Sequence, residues 1–140
     1  MDLASTISPE DFLDWTTFEQ ILEMDEDETE REFSKSIVEN FYEQAESTFV
    51  EMETALENRD LNQLSSLGHF LKGSSAALGL TKVQNSCEKI QHLGANMDES
   101  GTMEMNNNEL CLEKIQTTIE AVKEDYAISR SYLEHYFNSL

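Results

Sequence analysis

His69 is the residue of this chain best placed to do chemistry, and its neighbours say which kind. It sits in the stretch Leu67-Gly68-His69-Phe70-Leu71-Lys72-Gly73-Ser74-Ser75-Ala76-Ala77-Leu78-Gly79-Leu80. Leu64, Leu67, Leu71 and Leu78 recur at helical spacing and form one apolar stripe. At about 100° per residue, His69 falls opposite that stripe, so its imidazole is expected to face out. Gly73 lies one turn later on the same face. A mid-helix glycine costs on the order of 1 kcal/mol relative to alanine, and clearance around the ring would explain it. Lys72 stands on the flank of that face and can bring its ammonium near the imidazole.

Charge points to the same place. The chain has 29 acidic against 9 basic residues, a net charge of -20. Yet no Asp or Glu occurs from Leu61 to Cys87, where Lys72 and Lys82 are present. A carboxylate-free patch with an ammonium nearby suits a group that becomes transiently dianionic. Imidazole suits reversible phosphoryl transfer, because one ring nitrogen can attack while the other holds its proton against an acceptor. Gln91, at the edge of the next helix toward His69, is the candidate acceptor.

The run Gly68 to Gly79 resembles the phosphorylation-site helix of histidine-containing phosphotransfer (HPt) domains, and is most similar to the fungal phosphorelay intermediates. The similarity extends more thinly from Trp15 to the C-terminus. The resemblance implies that His69 is phosphorylated on Nε2, that Gln91 bonds its ring, and that Lys72 helps the phosphoryl oxygens. Gly73, Gly68 and Ser74 would support the site. Ile21, Met24 and Phe33 would dock a partner, with polar contacts from Asn40 and Gln44. Where some fungal members carry an arginine one turn after the glutamine, this chain has Ala95.

The resemblance also implies the partners: the receiver domain of a hybrid sensor histidine kinase as donor, and that of a response regulator as acceptor, with stress signalling as the expected pathway. Mg²⁺ would come from the receiver, with no cofactor held by this chain. The expected location is cytoplasmic and nuclear, and the expected state is a monomer. There is no glycine-rich phosphate loop and no kinase signature, so autonomous ATP-dependent kinase activity is not expected. A competing class is an acidic helical adaptor that binds signalling partners and carries no phosphate.

The elements that must position these residues follow from patterning. At 140 residues, with 39% apolar residues and one proline, a single all-helical domain with a real core is expected. No apolar run suggests a membrane span, and the acidity argues against nucleic acid or an anionic membrane as partner. Cys87 and Cys111 read as reduced thiols, and His92 and His135 as surface residues with no metal ligands at useful spacing.

Residues 1–32 form a lid segment with an acidic connector. Its short helix starts at Ser8-Pro9 or at Asp14. Residues 33–140 form an antiparallel four-helix bundle. The second helix is expected over Phe33–Glu57. The third runs from Leu61 to about Leu78, capped by Asp60 with Gln63 and ended by Gly79. A Thr81/Gln84 capping box starts the fourth, which ends at Leu93-Gly94. Residues 95–108 read as a flexible loop. Leu112, Ile115, Ile119, Val122, Tyr126, Ser129, Leu133 and Tyr136 then step by three and four along one long last helix.

Overall fold

The computed structural model describes residues 11–27 and 30–139. Among the described residues, five helices follow one another: α1 (Trp15–Leu22), α2 (Glu32–Glu57), α3 (Leu61–Ala77), α4 (Thr81–Gly94) and α5 (Asn108–Asn138). Helices α2 to α5 form the expected bundle and α1 is the short lid helix. The alternative start at Ser8-Pro9 lies outside the described residues. Asp14 is the N-cap of α1, its carboxylate accepting from the backbone N–H groups of Thr16 and Thr17. Asp60 caps α3 through the Gln63 N–H. Gly79 ends the α3 region with φ +76°, a backbone conformation that favours glycine.

The capping box expected at Thr81 is not formed. Leu80 is the N-cap of α4 and no side chain caps it. The Thr81 N–H instead donates to the Phe12 carbonyl at 3.0 Å, and the Asp14 N–H donates to the Gly79 carbonyl at 2.6 Å. These two bonds tie the N-terminal segment to the α3–α4 turn. Phe12, Leu13, Phe18, Ile21 and Leu22 are buried beneath it.

Two kinds of packing hold the bundle. Between α2 and α5, large side chains interlock: Tyr126 meets Phe41, Tyr42 and Phe49 with ring centroids 5.4–6.2 Å apart. Between α3 and α4 the backbones themselves approach. A Cβ on Gly94 would lie 2.5 Å from the Ser65 nitrogen, and one on Gly68 would lie 2.8 Å from the Cys87 oxygen and the Gln91 nitrogen. The Ser65 hydroxyl donates across this contact to the Gln91 carbonyl at 2.9 Å.

Of residues 95–108, expected to be a flexible loop, Asn108 already begins α5 and the others are tied by their own side chains. Asp98 accepts from the Thr102 N–H and the Ser100 hydroxyl. The Met105 N–H donates to the Asn96 carbonyl, and the Asn107 side chain caps α5 through the Leu110 N–H. His92 belongs to this arrangement rather than to open surface. Its Nδ1 lies 2.9 Å from the Glu99 carbonyl, and Gly101, at φ +74°, packs against its ring.

The connector into α2 is closed by Asp25. Its carboxylate accepts from the backbone N–H and the hydroxyl of Ser34, at 2.8 and 2.7 Å. Arg31 pairs with Asp25 at 3.5 Å and donates to the Leu22 carbonyl at the end of α1. Burial alone would push the Asp25 carboxyl up. The Ser34 hydrogen bonds and the Arg31 charge outweigh that and hold it below its ordinary value.

The contacts predict opposite signs at three glycines. Gly68→Ala and Gly94→Ala should each lower unfolding free energy by about 1–3 kcal/mol, because a methyl meets backbone. Gly73→Ala should raise it by up to about 1 kcal/mol, since a Cβ there meets open space. Urea unfolding of the three variants checks the signs. For Asp25, a folded-state pKa below the unfolded one means that its stabilisation is present above the unfolded value and is lost as pH falls through the folded one. Asp25→Asn should therefore cost about 1–3 kcal/mol at pH 7 and markedly less near pH 2–3, measured by denaturant midpoints at both pH values.

Candidate functional site

His69 lies at the middle of α3, exposed, on the face opposite buried Leu64, Leu67, Leu71 and Leu78. The helix period put it there, and the leucine stripe fixes the rotation of α3. Phe70, its neighbour, is also exposed at 49%. Nothing lies within 4 Å of a Cβ built at Gly73, so no internal contact accounts for glycine at that position. The space beside His69 is open to an approaching molecule.

Across the close α3–α4 contact stand the residues of α4. Gln91 is brought against Gly68 and held by Ser65 through its backbone carbonyl. Its side-chain Oε1 is buried and has no hydrogen-bond partner. The expected bond between the His69 ring and Gln91 is therefore not formed here. A buried acceptor left unpaired costs about 1–3 kcal/mol, and such a group is explained if it serves a donor in another state of the molecule.

Lys72 corrects the expectation of a carboxylate-free patch. Its Nζ lies 3.8 Å from Glu88 Oε1 on α4. Counting acids along α3 missed a carboxylate that the neighbouring helix brings alongside. Glu88 and Ser65 are the residues near the site that the pattern did not single out. Glu88 precedes Gln91 by three positions and so shares its helix face, and Ser65 precedes His69 by four.

The expected docking residues divide. Ile21 is buried, so it belongs to the core under α1 rather than to a free surface. Met24 and Phe33 are exposed at 62% and 45%. Asn40 and Gln44 are exposed on α2, and with Ile37, Phe41, Ser74 and Ala77 they line a groove of ≈ 270 Å³ between α2 and α3. Ser74 donates to Gln44 Oε1 at 3.4 Å across that groove. Among the described residues, no group of three His, Cys, Asp or Glu is placed to hold a metal ion, and no helix is long and apolar enough to cross a membrane.

Comparison with known proteins gives a consistent picture. Residues 36–125 match the family model described as Hpt domain. The chain is 47% identical over 131 residues to Multistep phosphorelay regulator 1 of Schizosaccharomyces pombe, covering 94% of this chain and 44% of that protein. It is 56% identical over 82 residues to Phosphorelay intermediate protein YPD1 of Candida albicans, covering 59% of this chain and 44% of that protein. The chain thus spans less than half the length of these two relatives. Among solved structures, it is similar to a chain of the co-crystal structure of the Saccharomyces cerevisiae histidine phosphotransfer signaling protein Ypd1 and the receiver domain of its downstream response regulator Ssk1. That match has a TM-score of 0.79 at 34% identity and covers 91% of this chain and 95% of that one.

The unpaired amide oxygen makes a prediction about stability alone. Gln91→Leu, close in size and without the orphaned acceptor, should leave unfolding free energy unchanged or raise it by about 1 kcal/mol. Urea unfolding checks this. A loss of about 2 kcal/mol or more would mean that the amide is holding the bundle together.

Proposed function

The chain belongs to the Hpt domain family, and from that premise we propose that it is a histidine phosphotransfer intermediate of a multistep phosphorelay. It accepts a phosphoryl group on His69 from the receiver-domain aspartate of a hybrid sensor histidine kinase. It passes that group to the receiver aspartate of a response regulator, in a pathway of the stress-signalling kind. The observation that carries the proposal is an exposed imidazole on a rigid helix, one helical turn from a glycine that no internal contact requires. The co-crystallised relative with a receiver domain supports the same partner class for this chain.

The chemistry needs only a nucleophile, an acceptor for its second proton, and positive charge near the oxygens. The Nε2 lone pair of neutral His69 attacks the phosphorus of the donor acyl phosphate. The N–P bond forms as the O–P bond breaks, and the electron pair leaves on the donor carboxylate. The ring then carries phosphorus on Nε2 and a proton on Nδ1 and is cationic. That proton finds its acceptor in the Gln91 Oε1, which has no other partner. Onward transfer reverses each bond change: the acceptor carboxylate attacks and the electron pair returns to Nε2. No proton is gained or lost overall. Lys72 neutralises charge on the phosphoryl oxygens, and Mg²⁺ would be supplied by the receiver domain, whose own carboxylates hold it. Met24, Phe33 and the α2–α3 groove bearing Asn40 and Gln44 supply the docking surface.

Incubation with a phosphorylated receiver domain and Mg²⁺ tests this. Label should move to the wild-type chain, survive base, disappear in acid and be absent from His69→Gln. Gln91→Ala should lower the transfer rate or shorten the phosphohistidine lifetime about 10-fold, of the order of one charge-assisted hydrogen bond, with helical content intact. Binding without label transfer would instead mark a non-catalytic adaptor.

A further inference from the structure

The ion pair that joins α3 to α4 beside His69 has a consequence for the phosphorylated state. Lys72 Nζ and Glu88 Oε1 are 3.8 Å apart, and both side chains are partly open to solvent. Glu88 has a second neighbour, His92 Nε2, at 4.0 Å. His92 Nδ1 faces the Glu99 carbonyl at 2.9 Å. A carbonyl only accepts, so Nδ1 carries a proton there. The Glu88 carboxylate thus stands between the Lys72 ammonium and the His92 ring, and Gly101 packs against that ring.

We propose that Glu88 is a positioning residue for the phosphotransfer, holding the Lys72 ammonium while His69 is bare and yielding it to the phosphoryl group once His69 is modified. This rests on the phosphotransfer reading above. Lys72 lies three positions after His69 and Glu88 three before Gln91, on facing helices whose register the Gly68 and Gly94 contacts fix. The ammonium has two anionic claimants within reach of one flexible stem: a carboxylate always present, and a phosphoryl group that comes and goes. No bond at Glu88 or Lys72 changes. The carboxylate acts by competition, lowering the affinity of this chain for the phosphoryl group it receives. Such an arrangement suits a carrier that must also give the group up.

The quantity to measure is the equilibrium constant for transfer between a phosphorylated receiver domain and the full chain, for wild type, Glu88→Gln, Lys72→Ala and the double variant. Glu88→Gln should shift the equilibrium toward phosphohistidine about two- to five-fold, the size expected of an exposed ion pair. Lys72→Ala should shift it the other way. In the Lys72→Ala background, Glu88→Gln should change nothing further. A merely structural role for Glu88 would not depend on Lys72 in this way. If Glu88→Gln leaves the wild-type equilibrium unmoved, or keeps its full effect without Lys72, the inference is overturned; in the second case Glu88 acts by direct repulsion. Failure of the wild-type chain to take label on His69 would overturn the phosphotransfer reading and this inference together, and is distinguished by the wild-type arm alone.

Discussion

The near-contact of the α3 and α4 backbones is the constraint on which the site depends. It exists because Gly68 and Gly94 have no side chains. With a Cβ at either place, backbone atoms would stand 2.5–2.8 Å away and the helices would have to part. Ser65 then fixes the pair lengthwise by donating to the Gln91 carbonyl. His69 and Lys72 on one helix, and Gln91 and Glu88 on the other, share a single register because of it. The α2–α5 side of the bundle works differently. There large rings and the Arg130–Glu46–Tyr126 cluster fill the space between helices, and side chains can adjust without changing which functional groups face each other.

The N-terminal segment is built into the same frame. Its backbone exchanges hydrogen bonds with the α3–α4 turn through Asp14, Gly79, Phe12 and Thr81. At the far end of α1, Arg31 reaches the Leu22 carbonyl while Asp25 accepts from the Ser34 N–H in the first turn of α2. Met24 and Phe33 stand exposed beside these contacts, with Ile21 buried. On the proposed function, these exposed side chains would meet a partner already held in place by the fold, which lowers the ordering cost of docking.

What was legible in the sequence, and what was not, separates along a physical line. The face carrying His69 could be read because helix period and a leucine stripe are local properties. Asp14, Asp60 and Gly79 could be read because caps and left-handed turns are set by single residues. Glu88 could not be found by counting acids along α3, because charge acts through space and the carboxylate comes from another helix. Thr81 looked like a cap, yet its own N–H was claimed by the Phe12 carbonyl, a partner far away in sequence. The 95–107 segment lacks periodicity because side chains of Asp98 and Asn96 bond to backbone, which leaves no repeat to detect. Ile21 was expected at the docking surface by resemblance, and its burial under α1 places it in the core instead.

The acidity of the chain gains a meaning once the site is in place. A net charge of -20 sets up a negative potential over the surface, and adding a phosphoryl group works against it. The nearest cation on α3 is already engaged by a carboxylate. Two charges about 4 Å apart near a surface interact by roughly 1–4 kcal/mol, so each claim on Lys72 is modest and reversible. A protein built to store phosphate would surround the ring with unpaired cations. One built to relay it needs a phosphohistidine close in energy to the acyl phosphates on either side. On the proposed phosphotransfer role, a single shared lysine in a strongly acidic setting meets that requirement, because it would steady the phosphoryl oxygens without trapping them.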